Sequence, residues 1–170
     1  MKYLITGNAG TGKSSVVEEL KQRGFTAYNT DDLPEVTRFE YKATSQPAVR
    51  PEPPTDWSTY AWNWQEGGLR KLLESADTVF VAAIVSNQER FYSLFHNIFV
   101  LTADVETIRH RLQNRDTNDY GKNPEQLKEI LEGHEEFQRN LLNVPTATEI
   151  DSRQPLKKVV DQIIALANEN

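Results

Sequence analysis

The feature that most constrains this chain is a glycine-rich loop close to its amino terminus. Residues 7–14 read Gly-Asn-Ala-Gly-Thr-Gly-Lys-Ser, which matches the phosphate-binding pattern G-x-x-x-x-G-K-[ST]. Glycines let the backbone N–H groups approach phosphate oxygens, the lysine binds the β- and γ-phosphates, and the serine hydroxyl ligates Mg²⁺. The pattern therefore predicts ATP and Mg²⁺ as cofactors. The predicted cofactor-binding residues are Gly7, Asn8, Ala9, Gly10, Thr11, Gly12, Lys13, Ser14 and Ser15.

The surroundings of the loop favour this interpretation, because the pattern has meaning only between a strand and a helix. Residues 2–6 form a short β-prone run directly before it. Val16, Val17 and Leu20 follow on one face of a helix that Gly24 can end. The alternative is a glycine-rich turn that binds no nucleotide.

Composition limits the class of protein and its partners. A chain of 170 residues with a net charge of −6 is predicted to be a single domain over residues 1–170. An acidic balance makes nucleic acid an improbable partner, since nucleic-acid binding depends on neutralising phosphates. There are no cysteines, so thiolate metal sites and cysteine nucleophiles are excluded. With no run of membrane-spanning length and no signal peptide, we expect a cytoplasmic protein of undetermined oligomeric state.

Strand-like and helix-like segments alternate along the chain, which predicts an α/β fold with a parallel sheet. The predicted strands cover residues 2–6, 26–29, 78–84, 97–102 and 147–151. Helix starts are indicated at Asp104, at Asn123-Pro124 with Gln126 as a capping-box residue, and at Pro155.

Residues 33–64 interrupt the alternation. Four prolines between residues 47 and 54 argue against a regular element there. All three tryptophans follow closely, at positions 57, 62 and 64. A long aromatic insertion in a compact domain is often functional. We therefore expect a substrate-side insertion, and the alternative is a hydrophobic cluster that pins the loop to the body of the domain.

Two adjacent carboxylates are the first candidates for catalysis besides Lys13. Asp31 and Asp32 follow the second predicted strand, at the carboxyl edge where ligands of open α/β sheets bind. One could hold Mg²⁺ and the other could orient an acceptor hydroxyl or accept its proton. The sequence does not decide which of the two carboxylates has which role. The predicted metal ligands are Ser14 and Asp31. The alternative for the pair is a helix N-cap. Residues 84–88, after the third strand, lack the carboxylate that many phosphate-loop proteins carry there.

Arginines near residue 110 form a second candidate group. Arg111 and Arg115 lie four residues apart and share one helix face, whereas Arg109 points elsewhere. Residues 115–123 are polar and contain a glycine, which suits a mobile lid. Arginines on a lid can neutralise charge on a phosphoryl group while closure excludes water. The alternative is a solvated basic helix end.

Several motifs together resemble the small P-loop kinases related to adenylate, shikimate and gluconate kinases. They are the loop at 7–14, Asp31-Asp32-Leu33-Pro34, the segment Asp56–Trp64, residues 86–92, and Arg111-Leu112-x-x-Arg115 with Asn118-x-Tyr120-Gly121-Lys122. The chain is most similar to compact bacterial proteins described as AAA-family ATPases or adenylate-kinase-related kinases. The two acids are adjacent here, whereas shikimate kinases usually separate theirs by one residue. The shikimate-binding glycine run after the third strand is missing.

This resemblance implies a three-layer P-loop NTPase fold with a five-stranded parallel sheet in the order 2-3-1-4-5, flanked by helices, and a short lid at 115–123. It also implies that Arg111 lies near the adenine, that Arg115 reaches the phosphates as a catalytic residue, and that Arg153 borders the nucleotide. The expected activity is ATP-dependent phosphoryl transfer to a small-molecule, nucleoside or nucleotide acceptor. The alternative is a nucleotide-binding switch or slow ATPase. The predicted acceptor contacts are Asp32, Trp57, Trp62, Asn87 and Gln88.

Overall fold

A computed structural model describes residues 1–116 and 118–169 of the chain. The strands are β1 (Lys2–Thr6), β2 (Ala27–Asn29), β3 (Thr37–Tyr41), β4 (Tyr60–Trp64), β5 (Val79–Ala82), β6 (Asn97–Thr102) and β7 (Ala147–Asp151). The α-helices are α1 (Lys13–Gln22), α2 (Glu66–Leu73), α3 (Val105–Asn114), α4 (Pro124–Glu132), α5 (His134–Leu142) and α6 (Leu156–Asn168). Short 3₁₀ helices cover Thr30–Asp32 and Gln88–Leu94.

Five parallel strands form the main sheet, in the order β2-β5-β1-β6-β7. Counted among these five strands alone, the order is 2-3-1-4-5, so the predicted fold class and strand order are confirmed. All five predicted strands form. The second and third are shorter than predicted, at Ala27–Asn29 and Val79–Ala82.

Side chains of the sheet are buried on both of its faces, which is why β5 is apolar at every position. Phe80 and Ala82 pack in one core cluster with residues of α1 and α6. Val79 and Val81 point the other way and pack in a second cluster that includes Leu69 of α2. Helices therefore cover the sheet on both sides, and the carboxyl ends of its strands remain at one open edge.

The ends of the helices follow the predicted signals, with two differences. Asp104 caps α3 by accepting a hydrogen bond from Thr107 N at 2.8 Å, and Asn123 caps α4. Gln126 does not complete a capping box; its Oε1 accepts from Gly121 N at 2.6 Å and so ties the preceding loop to α4. The second difference is a helix end that was not predicted: the apolar residues from Leu127 to Leu141 are divided at Gly133 between α4 and α5.

The expectation that residues 33–64 form no regular element is wrong at both ends of that segment. β3 and β4 pair antiparallel, with Phe39 opposite Trp62 and Tyr41 opposite Tyr60. The four prolines all lie in the connection between these strands. Pro47 forms an isolated bridge with Glu40, but the hydrogen bonds of that bridge come from Tyr41 N and Ala48 N, so the N–H that proline lacks is not needed. The hairpin is joined to the main sheet by Ser86 N, which donates to Trp62 O at 2.7 Å. The aromatic insertion therefore forms an ordered β-hairpin beside the carboxyl edge of the main sheet.

No helix in the described ranges is long and apolar enough to cross a bilayer.

Candidate active site

The phosphate-binding loop turns sharply between β1 and α1, and its shape depends on glycine. Gly7 has a φ of +146°, and a Cβ there would lie 2.6 Å from the carbonyl oxygen of Leu101. Gly10 has a φ of +83°, and a Cβ there would lie 3.2 Å from the Leu112 side chain. Any residue other than glycine would therefore be strained at either position. The loop therefore packs closely on β6 and α3 at the positions where the motif requires glycine.

Lys13 begins α1 and holds its ammonium group against the loop. Its Nζ donates to Gly7 O at 2.7 Å and to Asn8 O at 3.1 Å. The residue is half-buried, and burial of the ammonium group lowers the Lys13 pKa to about 8. The negative charge of Asp31 acts in the opposite direction, and the positive charge of Arg115 lowers the pKa further. The charges of Asp31 and Arg115, two further catalytic candidates, therefore both act on the Lys13 ammonium group.

The two carboxylates after β2 have different neighbours. Asp31 Oδ1 accepts a hydrogen bond from the indole Nε1 of Trp62 at 2.9 Å, so Asp31 contacts the hairpin. Asp32 Oδ2 accepts from Asn29 Nδ2 at 3.0 Å, and the same amide reaches Ser14 Oγ at 3.5 Å. Asp32 is thus linked to the phosphate-binding loop and Asp31 to the aromatic insertion. The pair sits on a 3₁₀ helix of three residues, and neither side chain caps an α-helix there.

Arg111 joins the phosphate-binding loop to the segment after β7. Its NH1 donates to Gly10 O at 3.3 Å and Ser152 Oγ at 3.1 Å, and its NH2 donates to Ser152 O at 2.7 Å. Burial lowers the Arg111 pKa. The guanidinium is therefore held against the phosphate-binding loop and is not a solvated helix end.

Arg115 ends α3 and contacts the predicted lid. Its NH2 donates to Tyr120 O, and burial lowers the Arg115 pKa. Its Nε is buried and has no hydrogen-bond partner in the ranges 1–116 and 118–169. An unpaired buried donor is costly, so this site favours a further hydrogen-bond acceptor. Thr117, within the predicted lid at 115–123, lies outside the described residues.

Three predicted site residues are engaged elsewhere. Arg153 pairs with Asp151 at 2.8 Å and holds the pKa of that carboxyl at about 2. Asn87 uses both ends of its amide on the backbone of Trp64, at 3.0 Å each. Gln88 is buried and uses its amide on Thr6 and Tyr92. These side chains do not line the cavity described next, so the structure gives no support for nucleotide contact by Arg153 or acceptor contact by Asn87 and Gln88.

A cavity of about 1030 Å³ opens at the carboxyl edge of the sheet. This volume is at the upper end of the range for small-molecule sites. Its lining contains the predicted residues Asn8 to Ser15, Asp31, Asp32, Trp57, Trp62, Arg111 and Arg115. It also contains residues that are not among the predicted site residues: Asn29, Phe39, Ile84, Val85, Ser86, His110, Asn114, Tyr120, Glu129 and Phe137. The phosphate-binding loop, both carboxylates and the aromatic hairpin thus face one space.

His134 is a further functional candidate, which the sequence analysis does not single out. It is buried, with Nε2 2.8 Å from Ala103 O and Nδ1 3.0 Å from Asn8 Nδ2. Because Ala103 O can only accept, the Nε2 must carry the proton, and Nδ1 accepts from Asn8. The other end of the Asn8 amide accepts from Ala9 N at 2.8 Å. His134 therefore orients a side chain of the phosphate-binding loop, and no local sequence signal marks it.

The donor set at the loop is compatible with Mg²⁺. The described residues contain no cluster of three or more His, Cys, Asp or Glu side chains that could hold a metal by themselves. Mg²⁺ is usually bound through one or two carboxylates together with substrate phosphates, so no such cluster is required. Ser14 and Asp32, brought together by Asn29, offer a hydroxyl and a carboxylate that could bind Mg²⁺ together with the phosphates of a nucleotide.

The fold and the loop together define a P-loop nucleotide-binding protein with the architecture of small kinases. Residues 4–135 match the family described as AAA domain (AAA_18), and the chain belongs to this family. No curated protein sequence matches the chain significantly.

Solved structures of similar fold include three kinases. Deoxyadenosine kinase from M. mycoides with bound dATP is 14% identical with a TM-score of 0.58, over 99% of this chain and 100% of that one. A gluconokinase from Sinorhizobium meliloti 1021 is 17% identical with a TM-score of 0.58, over 96% and 89%. A sugar kinase from Janibacter sp. HTCC2649 is 16% identical with a TM-score of 0.56, over 98% and 94%. At these identities the similarity establishes the fold.

Proposed function

We propose that this protein transfers the γ-phosphoryl group of ATP to a hydroxyl group of a small-molecule, nucleoside or nucleotide acceptor. The observation that carries the proposal is the shared cavity, in which a phosphate-binding loop and a pair of carboxylates lie beside an aromatic hairpin. The kinase identities of the structural relatives favour the same reaction class. The family match and the fold favour one domain over residues 1–170.

The donor half of the site consists of residues 7–15 with Arg111 and Arg115. The loop N–H groups and Lys13 would bind the β- and γ-phosphates. Arg115, whose Nε lacks a partner in the described ranges, would stabilise charge on the transferred group from the start of the lid at 115–123. Ser14 and one of the two carboxylates would hold Mg²⁺, which neutralises phosphate charge when it is bound.

The acceptor half consists of the carboxylates and the hairpin. The hydrogen bonds favour Asp32 for the metal side, because it shares Asn29 with Ser14, and Asp31 for the acceptor side, because it contacts Trp62. This division reverses the metal assignment that the sequence suggested for Asp31. In the transfer, the acceptor oxygen bonds to the γ-phosphorus and the bond from that phosphorus to the β–γ bridging oxygen breaks. ADP leaves with the bond's electron pair, and Asp31 takes the hydroxyl proton and passes it to solvent.

A panel of hydroxyl acceptors, assayed for acceptor-dependent ADP release with ATP and Mg²⁺, tests the proposal. We expect at least one acceptor to stimulate release, and Lys13→Ala to abolish the stimulation. Arg115→Ala should reduce it about 100-fold, since a removed transition-state donor costs about 10²–10³ in kcat. Arg109→Ala is the matched control: Arg109 lies on the same helix, is exposed, and pairs with Glu106 at 3.5 Å.

Full stimulated activity in Lys13→Ala would refute the mechanism. Nucleotide binding without stimulation by any acceptor would favour the switch or slow ATPase instead.

A further inference from the structure

Three aromatic side chains of the hairpin segment form a continuous surface in the cavity, here called the aromatic wall: Phe39, Trp57 and Trp62. The ring centroids of Phe39 and Trp62 are 4.6 Å apart, and those of Phe39 and Trp57 are 6.4 Å apart with an interplanar angle of 30°. All three residues line the same space as Asp31 and the phosphate-binding loop. The wall is therefore available to a ligand beside the carboxylates.

The wall continues an aromatic face that the strand register dictates. On β3 and β4, Phe39 and Trp62 are paired, and the next pair towards the hairpin connection on the same face is Tyr41 and Tyr60. The ring centroids of the two tyrosines are 5.3 Å apart, but these rings do not line the cavity. The same face therefore contains both ligand-accessible rings and rings outside the site, which provide an internal comparison.

The hairpin is braced on its opposite face. Glu40 is 8% exposed and accepts hydrogen bonds from Arg38, from Asn63 at 2.8 Å and from Gln65 at 2.9 Å. Lys42 donates to Trp57 O, which fixes the segment that carries Trp57. These contacts hold the rings of the aromatic wall in place before a ligand binds, which reduces the entropy lost on binding.

Several uncharged hydrogen-bonding groups near the aromatic wall are already engaged. The indole N–H of Trp62 donates to Asp31, and Ser86 Oγ accepts from Trp62 N at 3.2 Å. The amides of Asn87 and Gln88, which the sequence offered for acceptor binding, are used on Trp64, Thr6 and Tyr92. The charged side chains of Asp31, Asp32 and Arg50 do line the cavity. A ligand rich in hydroxyls would depend mainly on these charged groups, whereas a flat ring needs few hydrogen bonds and gains from stacking.

We infer that the acceptor carries a planar aromatic ring that stacks on the aromatic wall, and that its reactive hydroxyl lies on a substituent of that ring. The inference rests on the proposed function and specifies its acceptor class. Trp62 sets the geometry, because its ring forms part of the wall while its N–H binds Asp31. A hydroxyl on a substituent of the stacked ring is thereby brought near the carboxylate that takes its proton.

Binding of the ring can be measured without catalysis. All three tryptophans of the chain lie at positions 57, 62 and 64, and the first two belong to the aromatic wall. With saturating ADP and Mg²⁺ in the donor site, cytidine should quench tryptophan fluorescence, and methyl β-D-ribofuranoside, which has the same primary hydroxyl but no aromatic ring, should not. Phe39→Leu and Trp57→Leu should each weaken cytidine binding about 3- to 10-fold, the range expected for loss of an aromatic pair.

Tyr41→Leu is the matched control, since it removes an aromatic ring from the same strand and the same face outside the cavity. It should leave cytidine affinity unchanged. Unchanged ADP affinity in all three variants would show that each is folded. No quenching by cytidine or by other ring-bearing alcohols such as adenosine and pyridoxine would overturn the inference. Equal losses in Tyr41→Leu and Phe39→Leu would also overturn it.

Catalysis separates this inference from the proposed function. Phosphorylation of ring-bearing alcohols, with KM raised by Phe39→Leu and kcat little changed, supports both. Phosphorylation of ribose or gluconate but of no ring-bearing alcohol overturns the inference and leaves the proposed function intact. Ring binding without phosphorylation of any acceptor overturns the proposed function, and with it the claim that the bound ring belongs to an acceptor.

Discussion

The lowered pKa of Lys13 makes nucleotide affinity depend on pH in a range where most lysines remain charged. The Lys13 pKa is about 8, because burial disfavours the charged ammonium group and Asp31 only partly opposes this. With that pKa, about 90% of the free protein carries the charge at pH 7 and about 10% at pH 9. The ammonium is the charge that the loop offers to the phosphates. The apparent Kd for ATP should therefore rise about tenfold between pH 7 and pH 9.

Calorimetric titration with a non-hydrolysable ATP analogue and Mg²⁺, at half-unit steps of pH, measures this change. Lys13→Met should bind more weakly at pH 7 and show a flatter profile, so the difference between the two profiles removes the titration of the nucleotide and of all other groups. Lys21→Met is the matched control, because Lys21 lies on the same helix but is exposed and pairs with Glu18 at 2.9 Å. It should keep the full pH dependence. Parallel profiles for the wild-type protein and Lys13→Met would refute the reasoning.

Gly7→Ala should lower the free energy of unfolding by about 1–3 kcal/mol in urea denaturation, because its Cβ would lie 2.6 Å from Leu101 O at a φ of +146°. Gly67→Ala, in open space on α2, should instead be neutral or stabilising. Equal effects of the two substitutions would contradict the packing argument. Glu40 has a lowered pKa: burial opposes its charge, but hydrogen bonds from Asn63, Gln65 and Arg38 outweigh burial. Its contribution to stability is thus present at neutral pH and lost as pH falls through the folded pKa. The difference in the free energy of unfolding between the wild-type protein and Glu40→Gln should accordingly shrink on acidification from pH 7 to pH 3. A difference independent of pH would contradict the lowered pKa of Glu40. His134→Ala should weaken ATP binding about 2- to 10-fold, because it removes a hydrogen bond that orients Asn8 and contributes about 0.5–1.5 kcal/mol. His96→Ala, at the other end of the sheet, should leave ATP affinity unchanged.

The phosphate-binding loop, the parallel sheet and the helix caps could be predicted from sequence because their signals are local. Gly7 to Ser14 carries its own pattern, and Asp104 and Asn123 lie within three residues of the N–H groups that they cap. The alternation of strands and helices then predicts a parallel sheet, and the resemblance to small kinases implies its strand order.

The features that could not be predicted depend on contacts between distant parts of the chain. His134 and Asn8 are 126 residues apart, and only the position of α5 against β6 brings them together. The β3–β4 hairpin was missed because four prolines dominate its sequence, although they all lie in the connection. Asn87 and Gln88 were expected to face the acceptor because they follow β5, but β4 lies against this segment and engages the Asn87 amide.

Transfer of labelled γ-phosphate from ATP to a purified acceptor tests the central claim most directly. The account predicts that the label appears in the acceptor, that Asp31→Asn and Lys13→Ala suppress the transfer, and that Arg109→Ala does not. Label found only in inorganic phosphate, at the same rate with every acceptor and with none, would contradict the assignment of this site to phosphoryl transfer.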